Sequence, residues 1–132
     1  MSARLHLVRH GQTPSNVAGA LDTALPGAPL TDLGREQARL VGEELAGSGI
    51  RPSVILSSEA ARARETAGLI AGEMGLPTQA VPRVHEVQAG EYEMQTGPDA
   101  LLAYNRVVRD WLENGELDSR LPGGESALDV RR

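Results

Sequence analysis

Three adjacent residues, Arg9, His10 and Gly11, follow the apolar run Leu5–Val8. A neutral imidazole can act as a nucleophile. Arg9 beside it presents a planar fork of donors that suits phosphate oxygens. Gly11 admits unusual backbone angles and a close approach by a ligand. If Leu5–Val8 is a buried strand, His10 stands at a rigid turn just past its carboxyl end. No other part of the chain resembles a nucleophile paired with its base.

Composition narrows the chemistry. The chain has 132 residues, enough for one domain, with 40% hydrophobic and 23% charged residues. This is ordinary globular usage and argues against disorder. Without cysteine there is no disulfide scaffold, thiolate metal site or cysteine nucleophile. All 13 basic residues are Arg, which excludes a P-loop or Schiff-base lysine. The net charge of −5 argues against nucleic acid and anionic membranes as partners. Aromatic residues are scarce, so base stacking is not expected either. The opening residues do not form a signal peptide, and no run reaches membrane-spanning length. A cytoplasmic protein is the expectation.

The elements that must hold His10 read as alternating strands and helices. Leu5–Val8 is expected as a buried strand and residues 12–30 as loop. Thr31 should cap a helix with Leu33, Gln37, Leu40, Val41 and Leu45 on one face, stopped by Gly47 and Gly49. Val54–Ser57 reads as a second strand. Residues 59–74 read as a helix with Ala63, Ala67, Ile70 and Met74 on one face, and Ser57 or Ser58 as its cap. Gln79–Val81 is a candidate third strand. Residues 98–113 read as a helix, with Tyr92, Tyr104 and Trp111 as packing residues. LPGGES leads into a last helix capped by Ser126 or Asp129. The pattern predicts an α/β fold, a three-layer sandwich with a mostly parallel sheet. In such sheets ligands bind beyond the carboxyl ends of strands, where the Arg9–Gly11 and Ser57–Ser58 turns fall.

Five segments, in order, resemble the histidine phosphatase superfamily, the branch with cofactor-dependent phosphoglycerate mutases. They are LHLVRHGQTPSN, PLTDLGREQA, SSEAARARETA, HEVQAGEYE and PGGES. Together they span the chain, which implies a single phosphoglycerate mutase-like domain over residues 1–132, with a cap region at about 92–122.

The resemblance implies phosphoryl transfer through phosphohistidine. His10 is then the nucleophile, Arg9 and Arg62 grip the phosphoryl oxygens, and Asn16 donates a further hydrogen bond. Glu86 protonates the leaving oxygen and later takes a proton from water. Gly11, Gln12, Thr13, Ser57, Gly124 and Glu125 are candidates for a substrate-contacting loop. No metal or cofactor is implied. The expected partner is a small phosphorylated metabolite, sugar phosphates included, and a homodimer is compatible with this reading. Gln12-Thr13, GGES and the short stretch from Glu86 to PGGES point to hydrolysis; mutase-type isomerisation is the alternative.

Plainer readings stand beside these. Arg9 and Arg62 could be surface ion-pair formers, and only the motif register separates Arg62 from Arg64. Glu86, with Glu91 and Glu93 nearby, could belong to a solvated acidic loop. Asn16 could be a turn residue, and His6 and His85 read as structural. Two features depart from the family pattern. Its second catalytic His, in a His-Gly pair after a late strand, has no counterpart among His6, His10 and His85. It would belong some tens of residues beyond Arg132, so the chain is expected to be truncated; a catalytically incomplete binding module is the other reading. Met94 stands where many members have Gly.

Overall fold

The computed structural model describes residues 3–132. Its helices are α1 (Pro14–Ala18), α2 (Asp32–Gly47), α3 (Ala61–Met74), α4 (Pro98–Arg109) and α5 (Ala127–Val130). The strands β1 (Ile55–Ser57) and β2 (Thr78–Ala80) pair in parallel, with Ile55 opposite Thr78 and Ser57 opposite Ala80. Helix α3 is the crossover between them and packs on both. The architecture is therefore α/β with a small parallel sheet. No described helix is long and apolar enough to cross a membrane.

Most helix ends follow from local chemistry. The Thr31 hydroxyl accepts the Gly34 amide and starts α2. Gly75, at φ 64°, closes α3 in the left-handed conformation. Ser126 and Asp129 form a reciprocal capping box at α5. Helix α4 runs on into a π turn over Asp110–Asn114, which ends at Gly115, again left-handed. The start of α3 differs from expectation. Its cap is Ala60, with no side-chain bond; the Ala61 amide donates instead to the Pro26 carbonyl, 2.8 Å away. Ser58 accepts only the Ala60 amide. A long-range loop contact thus replaces the serine cap.

The expected strand at Leu5–Val8 is not formed. Leu5 is 80% exposed and Leu7 87%. A buried strand needs a neighbour's backbone for its ladder, and the only ladder among the described residues joins β1 to β2. The sheet therefore has two strands where three were expected.

Helix α2 also turns a different face inward. Its buried residues are Gly34, Ala38 and Gly42, while Leu33, Leu40 and Val41 are exposed. Residues spaced by four make a seam of minimal side chains, which lets α2 and α3 approach closely. A methyl group on Gly42 would lie 3.0 Å from the Ile70 Cα. On α3 the inward face is Arg62, Thr66, Ala67, Ile70 and Ala71, so Ala67 and Ile70 pack as expected. A second cluster joins Leu21, Ala89, Ala100, Val107 and Leu121, with Tyr92, Tyr104 and Trp111 against it.

Glu65 ties the loop before α2 to α3. Its carboxylate accepts the Leu30 amide and the Arg35 guanidinium. Burial pushes this carboxyl up, but those two donors outweigh burial and hold it below its usual 4.5. A carboxyl lowered on folding contributes stability that is complete above the unfolded pKa and is lost as pH falls through the folded one. The denaturation midpoint should therefore drop as pH falls below about 4.5, and Glu65→Gln should flatten that dependence.

Candidate functional site

The turn carrying His10 is held by backbone packing with no room for a side chain. A methyl group on Gly11 would lie 2.3 Å from the Gly34 carbonyl oxygen, and one on Gly34 would lie 2.1 Å from the Gln12 oxygen. Real Cβ atoms do not come so close, so both positions require glycine. The Gln12 carbonyl accepts the Thr31 amide at 2.9 Å, and the Gln12 amide donates to Gln37 Oε1 at 2.9 Å. The turn is thereby fastened to the first turns of α2. Gly34→Ala should force the turn to shift and destabilise the fold by about 1–3 kcal/mol, read from a denaturant midpoint.

Within this turn one nitrogen of the His10 ring faces the backbone. Its Nδ1 lies 2.7 Å from the Gly11 carbonyl oxygen. A carbonyl can only accept, so Nδ1 carries a proton, and in the neutral ring Nε2 is then the nitrogen with the lone pair. The Gly11 amide donates to Thr66 Oγ1 at 3.1 Å, and that hydroxyl donates to the Arg62 carbonyl at 2.8 Å. Arg9, His10, Gly11, Gln37, Ala38 and Thr66 line a cleft at this junction.

Arg62 is the buried arginine of its helix, while Arg64 is exposed. Its NH1 lies 4.0 Å from Asp22 Oδ1, with both side chains more than nine-tenths buried. That NH1 is the one buried side-chain nitrogen or oxygen without a hydrogen-bond partner among the described residues. Asp22 is itself held, its Oδ2 accepting the Ser15 hydroxyl at 2.7 Å and the Ala28 amide at 3.0 Å. Gly27, at φ 73°, closes over the pair: a methyl group there would sit 2.8 Å from Arg62 NH1. A polar circuit thus runs from the His10 turn through Thr66, Arg62 and Asp22 to Ser15 of α1, back beside the turn.

Helix α1 fixes Asn16 and Thr13. Asn16 Oδ1 accepts the Thr13 amide, and the Thr13 hydroxyl accepts the Asn16 amide. This commits the Asn16 oxygen and leaves its NH₂ donors on the exposed side. Thr13 is 1% exposed and spends its hydroxyl on the cap, so its side chain is enclosed and not presented to a substrate.

The loop that bears Glu86 is tied to the segment after α1. Gln88 Nε2 donates to the Thr23 carbonyl at 2.8 Å, next to Asp22, and more weakly to the Glu86 carbonyl. The Glu86 carboxylate accepts the Tyr104 hydroxyl at 3.0 Å. The nearby Glu93 carboxylate accepts the Thr23 amide, the Thr23 hydroxyl and the Ala24 amide. Glu125 Oε2 accepts the Gln88 amide, and Gly124 packs against the Gln88 carbonyl. These two residues support the Glu86 loop from behind. No bond joins Ser57 to the circuit among the described residues, and Arg9 is exposed beside His10. Asp22 and Thr66 carry no signal in the sequence, because each makes its contacts with residues remote along the chain. No group of three or more His, Asp or Glu among the described residues is arranged to hold a metal ion.

This is an α/β protein in which a histidine lines a cleft beside Thr66 and a buried arginine stands one helical turn before that threonine. Residues 5–132 match the histidine phosphatase superfamily (branch 1), and the chain belongs to that family. It is 34% identical over 129 residues to "Probable phosphoglycerate mutase GpmB" of Yersinia pestis (strain Pestoides F), covering 98% of this chain and 58% of that protein. Among solved structures it is similar to the mycobacterial glucosyl-3-phosphoglycerate phosphatase in complex with VO3. That match has 32% identity and a TM-score of 0.72, covering 92% of this chain and 56% of the other. The α-ribazole phosphatase of Shigella flexneri is similar at 29% identity and a TM-score of 0.68, with 93% and 59% covered. The chain thus spans less than two thirds of each of these relatives.

Proposed function

We propose that this chain carries the phosphoryl-accepting site of a phosphomonoester hydrolase acting on a small phosphorylated metabolite. The observation that carries the reading is the buried Arg62 guanidinium with an unpartnered NH1, on a residue whose backbone carbonyl accepts the Thr66 hydroxyl that in turn accepts the Gly11 amide beside His10. Leaving a buried donor unpaired costs about 1–3 kcal/mol, and a phosphoryl oxygen would satisfy it.

In the proposed reaction, Nε2 of His10 attacks phosphorus and forms the N–P bond as the ester P–O bond breaks. Glu86 passes its proton to the departing oxygen. Water then attacks phosphorus as the N–P bond breaks, gives a proton to Glu86, and leaves inorganic phosphate and free His10. Arg62, Arg9 and the Asn16 amide hold the equatorial oxygens, where charge accumulates. The cap role of residues 92–122 belongs to this proposal, as does the absence of a metal requirement.

The 34% identity to a protein named as a mutase makes isomerisation the competing reading. Phosphate release and isomerisation should be measured on the same phosphoglycerate, in EDTA, with and without 2,3-bisphosphoglycerate. The hydrolase reading expects phosphate release that EDTA leaves unchanged and vanadate inhibits. Isomerisation exceeding hydrolysis would overturn it, and loss of activity in EDTA would overturn the metal-free mechanism.

A further inference from the structure

We infer that Tyr104 is a positioning residue for Glu86: its hydroxyl fixes one carboxylate oxygen so that the other carries the proton to the leaving group. The inference rests on the phosphatase reading above. The Tyr104 hydroxyl lies 3.0 Å from Glu86 Oε1 and 3.0 Å from the Val87 carbonyl oxygen. One phenolic proton serves both acceptors, so Tyr104 holds the acid's side chain and the carbonyl of the residue after it together.

The two partners differ in freedom. Glu86 is exposed, and its carboxylate has no other hydrogen-bond partner among the described residues. Unrestrained, such a side chain samples several rotamers, and general acid catalysis needs one. The Tyr104 ring is half-buried against the cluster of Leu21, Ala89, Ala100, Val107 and Leu121. It is a fixed post from which to hold a mobile acid. With Oε1 occupied, the transferable proton resides on Oε2. Burial, and then the charge of Glu86, push the phenol well above its ordinary range, with smaller contributions from Glu125 and Glu93. The hydroxyl therefore stays a donor throughout neutral pH. Helix α4 carries Tyr104, so the cap region would reach the chemistry through this one bond.

The test is Tyr104→Phe, which keeps the packing ring. A leaving group that needs a proton should suffer, and one that does not should be spared. With an alkyl phosphate, kcat should fall roughly tenfold, the scale of one hydrogen bond to a charged group. With p-nitrophenyl phosphate the change should stay within about twofold, because general acid assistance adds little to a good leaving group. In Glu86→Gln, adding Tyr104→Phe should cause no further loss. Equal losses on both esters, or additive losses in the double variant, would make Tyr104 merely structural and overturn the proposal.

A second readout needs no turnover. Followed by NMR of the ring through the alkaline range, Tyr104 should ionise earlier in Glu86→Gln than in the wild type. An unchanged midpoint would overturn the contact itself. Failure of the wild type to release phosphate from either ester would instead overturn the phosphatase reading and, with it, the catalytic role.

Discussion

His10→Ala should abolish phosphoryl transfer, lowering kcat by a factor on the order of 10⁴ or more, the scale reached when a covalent enzyme loses its nucleophile. The Nδ1 proton is held by the Gly11 carbonyl at 2.7 Å, so the imidazole presents Nε2 without needing to select a tautomer on binding. His6 and His85 offer no substitute. His6 lies on the exposed segment before the turn, and His85 Nδ1 lies 2.9 Å from the Glu86 carbonyl in another loop. His10→Ala should leave the fold nearly unchanged, because the Gly11 and Gln12 backbone makes the contacts that hold the turn. A steady-state assay beside a denaturation curve separates the two effects. Turnover surviving in a folded His10→Ala protein would remove His10 from the mechanism.

Arg62→Ala should cost on the order of a hundred- to a thousandfold in kcat, about 3–4 kcal/mol, as expected for a donor aimed at developing transition-state charge. The guanidinium is already desolvated and stands 4.0 Å from Asp22, where a charge acts more strongly than at the surface. Arg62→Lys should recover only part of the loss, since an ammonium lacks the planar fork that spans two phosphoryl oxygens. The control is Arg64→Ala. Arg64 is exposed two residues along the same helix, and its loss should leave turnover near wild type. Equal losses at the two positions would mean that net charge, and not the buried guanidinium, drives binding.

What could be read from the chain alone follows the range of the forces involved. Helix positions were legible because caps and left-handed glycines act over a few residues, as at Thr31 and Gly75. The α/β character was legible from the alternation of elements. The Leu5–Val8 strand was not, since an apolar run becomes a strand only where another backbone pairs with it. The inward face of α2 was misjudged for a related reason. Leu33, Leu40 and Val41 give the stronger periodic signal, yet the small residues Gly34, Ala38 and Gly42 set the closest approach to α3.

The site shows the same division. His10 and Arg62 came from motif spacing, and packing then separated Arg62 from Arg64. The partners of Glu93 could not be read along the chain, because they are Thr23 and Ala24, some seventy residues earlier. Asp22 and Tyr104 carry no local signature at all. Met94, the departure from the family's Gly, adopts φ 60°. That is a left-handed conformation which glycine enters freely and other residues occupy at a cost of roughly 1–2 kcal/mol. Its amide donates to the Leu21 carbonyl at 2.7 Å, which holds the turn in place.

The most direct test of the account is to react the protein with a phosphomonoester in EDTA, quench within a turnover, and map the adduct by mass spectrometry under conditions that spare phosphoramidates. The account predicts a phosphoryl group on His10, absent from His6 and His85 and absent in His10→Ala. Substrate turnover with no phosphohistidine at His10, or with the phosphoryl group on another residue, would contradict it.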